Sequence, residues 1–255
     1  KHSKLKLPAV LADIYDAEKY ARQQDYFRTN ARFGMLTASF SFVLVVAIYA
    51  CGGFGWFDGI VQNWTEHSIL QSLLFFGVLF VVSDVVTIPF QWYDTFVIEE
   101  KFGFNKQTPS LFITDKLKSW GLSIVLGGLI LTAIIWIYNL TPEYFWLLAF
   151  GVVTVFSLFM NMFYSELIVP LFNKQTPLEE GELRTAIEAF ANKSGFKLKN
   201  IYMIDGSKRS TKANAYFTGI GPKKRIVLYD TLTEQMSTDE IVAVLAHEIG
   251  HYKHK

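Results

Sequence analysis

The stretch WGLSIVLGGLILTAIIWIYNL, residues 120–140, contains no charged side chain over its whole length. A helix needs about 20 predominantly apolar residues to cross the hydrocarbon core of a membrane. Three further runs of this kind, at most one acid in each, lie at residues 34–53, 69–90 and 144–171. Helices buried in soluble proteins seldom stay nearly uncharged for so long, so the sequence predicts four transmembrane helices.

The charged residues concentrate outside this region, and their distribution predicts the domain organisation. The chain of 255 residues is 51% hydrophobic and 18% charged, whereas about a quarter of the residues of a soluble domain are charged. Residues 34–171 carry 4 basic and 9 acidic side chains, and residues 172–255 carry 13 and 10. We expect a juxtamembrane segment at 1–33, a transmembrane region at 34–171 and an α+β domain at 172–255. The net charge of +1 gives no reason to expect binding to nucleic acid.

The basic residues of the connecting segments predict the orientation in the membrane. The connection 91–118 contains four lysines, and the connections 54–68 and 141–143 contain no lysine or arginine. Under the positive-inside rule, the N-terminal segment, the 91–118 loop and the 172–255 domain therefore face the cytoplasm.

Residues 172–255 show the turn and capping patterns of a mixed α+β domain. We predict a helix that opens at Pro177, a short strand, a β-hairpin, and a final helix that begins with the capping box formed by Ser237 and Glu240. The first helix spans residues 177–194, the short strand 201–204, and the two strands of the hairpin 213–217 and 225–229.

The final helix carries the motif HEIGH at residues 247–251. At 3.6 residues per turn, His247 and His251 lie one turn apart on nearly the same face, where two imidazoles can bind one Zn²⁺. Glu248 is rotated by about 100° around the axis and can reach a metal-bound water instead. Zinc lowers the pKa of that water toward about 7, so Glu248 can take its proton and the hydroxide can attack a peptide carbonyl. The motif therefore predicts a zinc endopeptidase; the alternative is two surface histidines on a helix.

The hairpin offers a place for an extended substrate. An exposed strand edge binds a peptide by adding it to the sheet as a further strand. We predict that Asn214, Ala215, Tyr216 and Phe217 bind the substrate in this way, the alternative being an ordinary hairpin that packs its aromatic side chains. The basic run at 223–225 is interpreted as a solvated turn, which next to a membrane could also touch anionic lipid.

Several stretches resemble the type I CaaX prenyl endopeptidases, which are integral-membrane zinc metalloproteases. They are SKRSTKANAYFTG at 207–219, RIVLYDTL at 225–232, HEIGH at 247–251, TFVIEEKFGFN at 95–105 and PLFNK at 170–174. The resemblance implies a ring of transmembrane helices around a water-filled chamber into which the zinc site faces. Eukaryotic members of the family cleave the last three residues from prenylated CaaX termini, and bacterial relatives are linked to membrane-protein quality control.

By matching position, the resemblance implies that His247 and His251 bind zinc, that Glu248 is the general base and that the 214–217 strand flanks the substrate. The implied location is the bacterial inner membrane or the endoplasmic reticulum, and the implied partners are the lipid bilayer and a peptide or prenylated CaaX peptide. The family also has a glutamate as third zinc ligand on a later helix, and this chain ends four residues after His251. We therefore expect an interior part of a longer protein whose remainder supplies that ligand, with this segment alone not catalytically competent.

Three other interpretations stay open at this point. The first is a membrane HExxH stress protease without preference for prenylated substrates. The second is a transporter or channel, which would explain the acids Asp84 and Glu166 inside predicted spans but leave HEIGH without a role. These acids would equally fit a position near a span end or local pairing. The third is a noncatalytic scaffold, which the missing zinc ligand would permit.

Overall fold

The structure is a computed structural model that describes residues 16–195, 198, 200–218 and 225–253, with the backbone alone at residues 248 and 251–253. The chain forms two compact units, Lys1–Gly103 and Phe104–Lys255. The predicted boundary between residues 171 and 172 falls inside the second unit, which contains both membrane helices and the mixed domain. The three-part division of the chain stays a prediction.

Helices account for most of the described residues. In the first unit they are α1 (Ala17–Ala50), α2 (Gly53–Trp64) and α3 (Ser68–Tyr93), which continues as a π-helical segment at Asp94–Glu99. The second unit begins with α4 (Pro109–Leu140), a 3₁₀ turn at Pro142–Tyr144, α5 (Phe145–Leu167) and α6 (Val169–Phe172). It continues with β1 (Gln175–Pro177), α7 (Glu182–Lys193), β2 (Asn200–Ile204), β3 (Ala215–Thr218), β4 (Arg225–Tyr229), α8 (Asp230–Gln235) and α9 (Thr238–Lys253).

The predicted membrane helices are confirmed. Within the described residues, four helical segments are long and apolar enough to cross a membrane, namely Ala17–Ala50, Ser68–Glu99, Pro109–Leu140 and Pro142–Phe172. The chain is therefore a polytopic, mainly helical membrane protein. No helix was predicted in the connection 54–68, and the structure has the helix α2 there.

In the first unit, the beginning of α1 is held by residues that follow α3. The Tyr26 hydroxyl donates a hydrogen bond to Oε1 of Glu99 in the π-helical segment. Nη2 of Arg22 donates to the carbonyl oxygen of Phe102 at 2.8 Å. The Tyr26 and Phe102 rings also meet edge to face, with centroids 5.1 Å apart. These long-range contacts fix where α1 meets the end of the second span.

The second unit contains a four-stranded sheet in the order β1-β2-β4-β3. The central strands β2 and β4 run parallel, and β1 and β3 flank them antiparallel. The pairing of β3 with β4 runs from Ala215 opposite Leu228 to Thr218 opposite Arg225, which confirms the predicted hairpin. Its connection, residues 219–224, lies outside the described residues. The predicted strand at 201–204 is confirmed as β2.

The predicted start of the first helix in this domain is wrong. Pro177 ends strand β1, and helix α7 begins at Glu182. The reason is tertiary pairing, because β1 lies antiparallel to β2 and the Leu178 amide donates to the Ile201 carbonyl at 2.9 Å. The sheet therefore overrides a local capping pattern. The predicted end is confirmed, since Gly195 follows the helix with φ of +64°, a left-handed conformation that favours glycine.

The core of the second unit lies between the sheet and the helices α7 and α9. Ile187 of α7, Ile226 and Leu228 of β4, and Ile241 and Leu245 of α9 are each at most 2% exposed. Full burial of an aliphatic side chain stabilises a fold by about 1.5–3 kcal/mol. Helix α9 is therefore held in this core through Ile241 and Leu245.

Arg209 connects this domain to the membrane helices of the second unit. The Arg209 guanidinium donates to both carboxylate oxygens of Asp115 in α4, at 2.7 and 2.8 Å, and to the Phe172 carbonyl at 2.8 Å. Beside it, the Thr211 amide donates to the Phe104 carbonyl at 3.1 Å. The start of α4, the end of α6 and the loop before β3 therefore meet at Arg209.

Candidate metal centre and substrate strand

The helix that carries HEIGH begins with the capping box predicted from the sequence. The Ser237 amide donates to Oε2 of Glu240 at 2.8 Å, and the Glu240 amide donates back to the Ser237 hydroxyl at 3.4 Å. The backbone hydrogen bond from Ser237, with a smaller contribution from its hydroxyl, lowers the pKa of Glu240. Two amides at the start of α9 are thereby satisfied, which fixes where the helix begins.

The buried stripe of α9 decides which side of the motif is accessible. Ile241, Leu245 and Ile249 follow one another at intervals of four and are at most 3% exposed. Ile249 is the central part of HEIGH, and it packs against Ala191 of α7. His247 lies two residues earlier, on another side of the helix, and is exposed. The side of α9 that carries Ile249 is therefore buried in the core, and the His247 imidazole on another side of the helix is accessible.

The motif places its predicted metal ligands at adjacent turns of one helix. Positions 247 and 251 of α9 are separated by about 6 Å along the axis, because an α-helix rises about 1.5 Å per residue. Position 248 is rotated by about 100° from position 247. An accessible imidazole at 247 with a second at 251 fits zinc, which binds histidine nitrogen in tetrahedral sites.

This donor set accounts for only two protein ligands. A catalytic zinc site uses three protein ligands and a water. Among the side chains that the structure describes, no group of three His, Cys, Asp or Glu residues is placed to hold a metal ion. The side chains of Glu248 and His251 lie outside that set. A third ligand is therefore not identified among the described residues.

The predicted substrate strand lies at the edge of the sheet. In the part of the chain that the structure describes, β3 pairs with β4 alone. On one face of the sheet, Phe217 packs against Ile249 of α9, the central residue of the metal motif. Tyr216 lies on the opposite face with Tyr229. The strand therefore runs beside α9 on one face while its other face turns toward α5.

The remaining members of the predicted strand lie at its beginning. Asn214 is exposed, its side-chain oxygen accepts from the Ala215 amide at 2.9 Å, and its carbonyl accepts from the Tyr229 amide at 3.1 Å. Ala215 starts β3 and packs at the edge of the main core. Of the four predicted residues, Phe217 is the one whose packing places it against HEIGH.

Tyr216 connects the strand to helix α5. Burial raises the pKa of Tyr216 to about 12, and a hydrogen bond with the Ser165 side chain lowers it by a smaller amount. Ser165 lies on α5 and is itself 2% exposed. The phenol therefore stays protonated at physiological pH, and its hydroxyl fastens the edge strand to a membrane helix.

The two acids of the predicted spans both have protein partners. Glu166 of α5 forms an ion pair with Arg225, the first residue of β4. Arg225 is 8% exposed and lies 5.2 Å from the centroid of the Tyr202 ring. The solvated turn predicted at 223–225 is therefore wrong for Arg225, because Glu166 offsets the burial of its charge. Asp84 accepts from Nε2 of Gln91 in its own helix, at 3.4 Å.

Helix α5 also carries a polar stripe that the sequence analysis missed. Ser157, Asn161 and Tyr164 recur at i, i+4 and i+7, the spacing of one helix face, so the signal was present in the sequence. Together with Met160 they line one side of a cavity of about 420 Å³, and Tyr216 to Thr218 of β3 line the other. We refer to this space as the α5–β3 cleft.

Comparison with known proteins decides the family. Residues 1–174 match the family described as "CAAX prenyl protease N-terminal, five membrane helices", and residues 177–255 match "Peptidase family M48". The chain belongs to the M48 family of CAAX prenyl proteases. The resemblance noted in the sequence is thereby confirmed. Membership of the M48 metallopeptidases implies a metal cofactor.

Individual M48 relatives match nearly the whole chain. It is 42% identical to CAAX prenyl protease 1 of Saccharomyces cerevisiae over 99% of this chain and 58% of that protein. It is 40% identical to the CAAX prenyl protease 1 homolog of Arabidopsis thaliana over 97% of this chain and 60% of that protein. The crystal structure of S. mikatae Ste24p matches with a TM-score of 0.92 at 42% identity, over 98% of this chain and 60% of that chain. The chain thus spans about three fifths of the length of these M48 relatives.

Proposed function

We propose that this chain forms the membrane region and part of the catalytic domain of a zinc metalloendopeptidase that processes CaaX-type prenylated peptides. The observation that carries the proposal is the placement of HEIGH on α9, with Ile249 buried and His247 accessible beside the edge strand β3. The names of the S. cerevisiae and A. thaliana relatives support the substrate class.

In this proposal His247 and His251 hold the zinc ion, and a ligand from outside these 255 residues completes the site. When bound, zinc supplies Lewis-acid activation of the water and the scissile carbonyl. The side chains of this chain do the remaining work. Glu248 accepts a proton from the attacking water and passes it to the leaving amine. Burial of Ile249 keeps α9 in a fixed rotation, so the ligand positions do not turn away from the substrate.

The edge strand β3 binds the substrate backbone in this proposal. A peptide paired with Ala215, Tyr216 and Phe217 as an added strand would lie beside α9, because Phe217 packs with Ile249. Asn214 extends the binding edge at its exposed end. The alternating pleat of the added strand then decides which side chains of the peptide face α9 and which face away from it.

We place the mixed domain at 172–255 on the cytoplasmic side of the membrane that contains the 34–171 region. The support is the set of four lysines in the connection 91–118, which the positive-inside rule assigns to the cytoplasm together with residues 1–33. The host membrane is the endoplasmic reticulum in a eukaryote or the inner membrane in a bacterium.

Two variants of the complete protein test the catalytic roles. We expect Glu248→Gln to lower cleavage of a farnesylated CaaX peptide by at least about 100-fold, which is the usual contribution of a general base. Zinc content, measured by mass spectrometry of the purified protein, should stay near that of the unchanged protein. His247→Ala should lose both zinc and activity. Cleavage that persists in Glu248→Gln would refute its role as the base.

A comparison of substrates tests the specificity. We expect the farnesylated peptide to be cleaved with a higher kcat/KM than the same peptide without the isoprenoid. Equal rates would favour an HExxH stress protease without prenyl preference. No chelator-sensitive cleavage of either peptide would favour a noncatalytic scaffold and refute the proposal.

A further inference from the structure

Asn161 lies within a segment long and apolar enough to cross a membrane, yet its side chain is exposed. Ser157 and Tyr164 on the same face are exposed as well. A polar group that faces hydrocarbon without a hydrogen-bond partner costs several kcal/mol, on the order of 4–8 for transfer from water to an alkane. This face of α5 therefore requires a polar environment.

The opposite face of α5 is different in composition. Val152, Val155 and Phe159 line an apolar groove with residues of α4 such as Leu129 and Ile130. Positions 152, 155 and 159 lie about 160–220° around the helix from position 157, at 100° per residue. Helix α5 therefore separates an apolar face toward α4 from a polar face toward β3.

The polar face is held at a fixed distance from the sheet. Ser165 hydrogen-bonds with Tyr216, and Glu166 pairs with Arg225. Both attachments lie near the C-terminal end of α5, and the α5–β3 cleft extends from them toward Ser157. A cavity of about 420 Å³ therefore lies beside these two attachments.

We propose that the α5–β3 cleft binds the peptide part of the substrate and that Asn161 is a specificity-determining residue. This inference rests on the proposed endopeptidase function. A peptide added to β3 presents its side chains alternately to the two faces of the sheet. Residues on the Phe217 face meet α9, and residues on the Tyr216 face enter the cleft. Every second residue of the substrate near the scissile bond therefore contacts α5.

The lining indicates which chemistry the cleft accepts. Asn161, Tyr164 and Thr218 offer amide and hydroxyl groups that donate and accept hydrogen bonds. An isoprenoid has no hydrogen-bonding group and would leave them unsatisfied, which costs free energy. A peptide amide or a polar side chain satisfies them, and Met160 and Phe217 add apolar surface for the rest of the chain, so the lining fits a peptide.

Binding to the catalytically blocked protein tests the cleft directly. In the complete protein carrying Glu248→Gln, the affinity of a fluorescent CaaX peptide is measured by anisotropy, with and without a farnesyl group. We expect Asn161→Leu to weaken both peptides about fivefold, the effect of one lost hydrogen bond, and to leave their ratio unchanged. The matched control is Phe159→Leu on the opposite face of α5, for which we expect no change.

Three outcomes would overturn the proposal. The first is an unchanged affinity in Asn161→Leu, and the second is an equal loss in Phe159→Leu. The third is a loss confined to the farnesylated peptide, which would assign the cleft to the isoprenoid. The proposed function fails separately, when the unchanged protein cleaves neither peptide. A protein that cleaves normally but is insensitive to Asn161→Leu refutes the cleft alone.

Discussion

Removal of the Arg209 side chain should weaken the junction between the mixed domain and the membrane helices of the second unit. Asp115 would lose a bidentate partner with contacts of 2.7 and 2.8 Å, and the Phe172 carbonyl and the Asn173 side-chain oxygen would each lose a donor. The Arg209 and Asp115 side chains are 22% and 16% exposed, so both are largely shielded from water. The charge left on Asp115 would therefore be poorly compensated.

The magnitude follows from this partial burial. Removing one partner of a fully buried ion pair costs about 3–5 kcal/mol, whereas exposed pairs contribute about 0–1 kcal/mol. For Arg209→Ala we expect a loss of about 2–3 kcal/mol, which lowers the midpoint of thermal unfolding by roughly 5–10 °C for a chain of this size. Arg209→Lys keeps the charge but not the planar fork, so it should recover about half of the loss.

Thermal unfolding of the purified protein in detergent provides the assay. The matched control is Lys208→Ala, because the neighbouring pair of Lys208 with Asp205, 2.9 Å apart and about one third exposed, should be worth less than about 1 kcal/mol. A double-mutant cycle of Arg209→Ala with Asp115→Asn should give a coupling energy of about 2 kcal/mol. Additive single effects, or a loss no larger than that of Lys208→Ala, would refute the reasoning.

Three further predictions concern Ser237, Glu240 and Tyr216, which lie outside the membrane spans. Ser237→Ala should cost about 1 kcal/mol of unfolding free energy through loss of the helix cap. Because the pKa of Glu240 is lowered in the folded state, its contribution to stability is present above its ordinary pKa of 4.5 and is lost as the pH falls through the lowered value. In a pH series of melting curves, the difference in melting temperature between the unchanged protein and Glu240→Gln should therefore vanish at low pH. For Tyr216 the sign is reversed: its pKa is raised from 10.0 to about 12, so its stabilising effect is complete below pH 10 and is lost between about pH 10 and 12. The ultraviolet difference titration between the unchanged protein and Tyr216→Phe should have a midpoint near 12, and a midpoint near 10 would show that the phenol is not buried.

The parts of the fold that depend on local pattern could be predicted from the sequence. Nearly uncharged runs predicted the four spans, two strand candidates on either side of a turn-rich stretch predicted the hairpin, and Ser237 with Glu240 predicted the start of α9. Each of these signals depends on residues within a few positions of one another. The start predicted at Pro177 was wrong because β2, which pairs with that segment, lies more than 20 residues away in the chain.

In the candidate site, too, the features set by neighbouring residues could be predicted and the contacts between distant residues could not. The spacing of His247 and His251 is a local property of one helix, and the sequence predicted it. The sequence did not predict the partners of Arg209 and Arg225, because Asp115 and Glu166 approach them across 94 and 59 positions of the chain. The stretches at 170–174 and 207–219 resembled a family without any indication that Arg209 would contact Phe172 in the folded chain.

Helix α5 shows why an average over a span conceals a site. Its most apolar stretch is about as hydrophobic as those of the other three spans, so the average gives no sign of Ser157, Asn161 and Tyr164. Those residues occupy a single face, and the apolar residues of the opposite face raise the mean. The two faces serve different purposes, since one packs on α4 and the other borders the edge strand. Substitutions in α5 should therefore separate by face, with apolar-face changes altering stability and polar-face changes altering peptide binding.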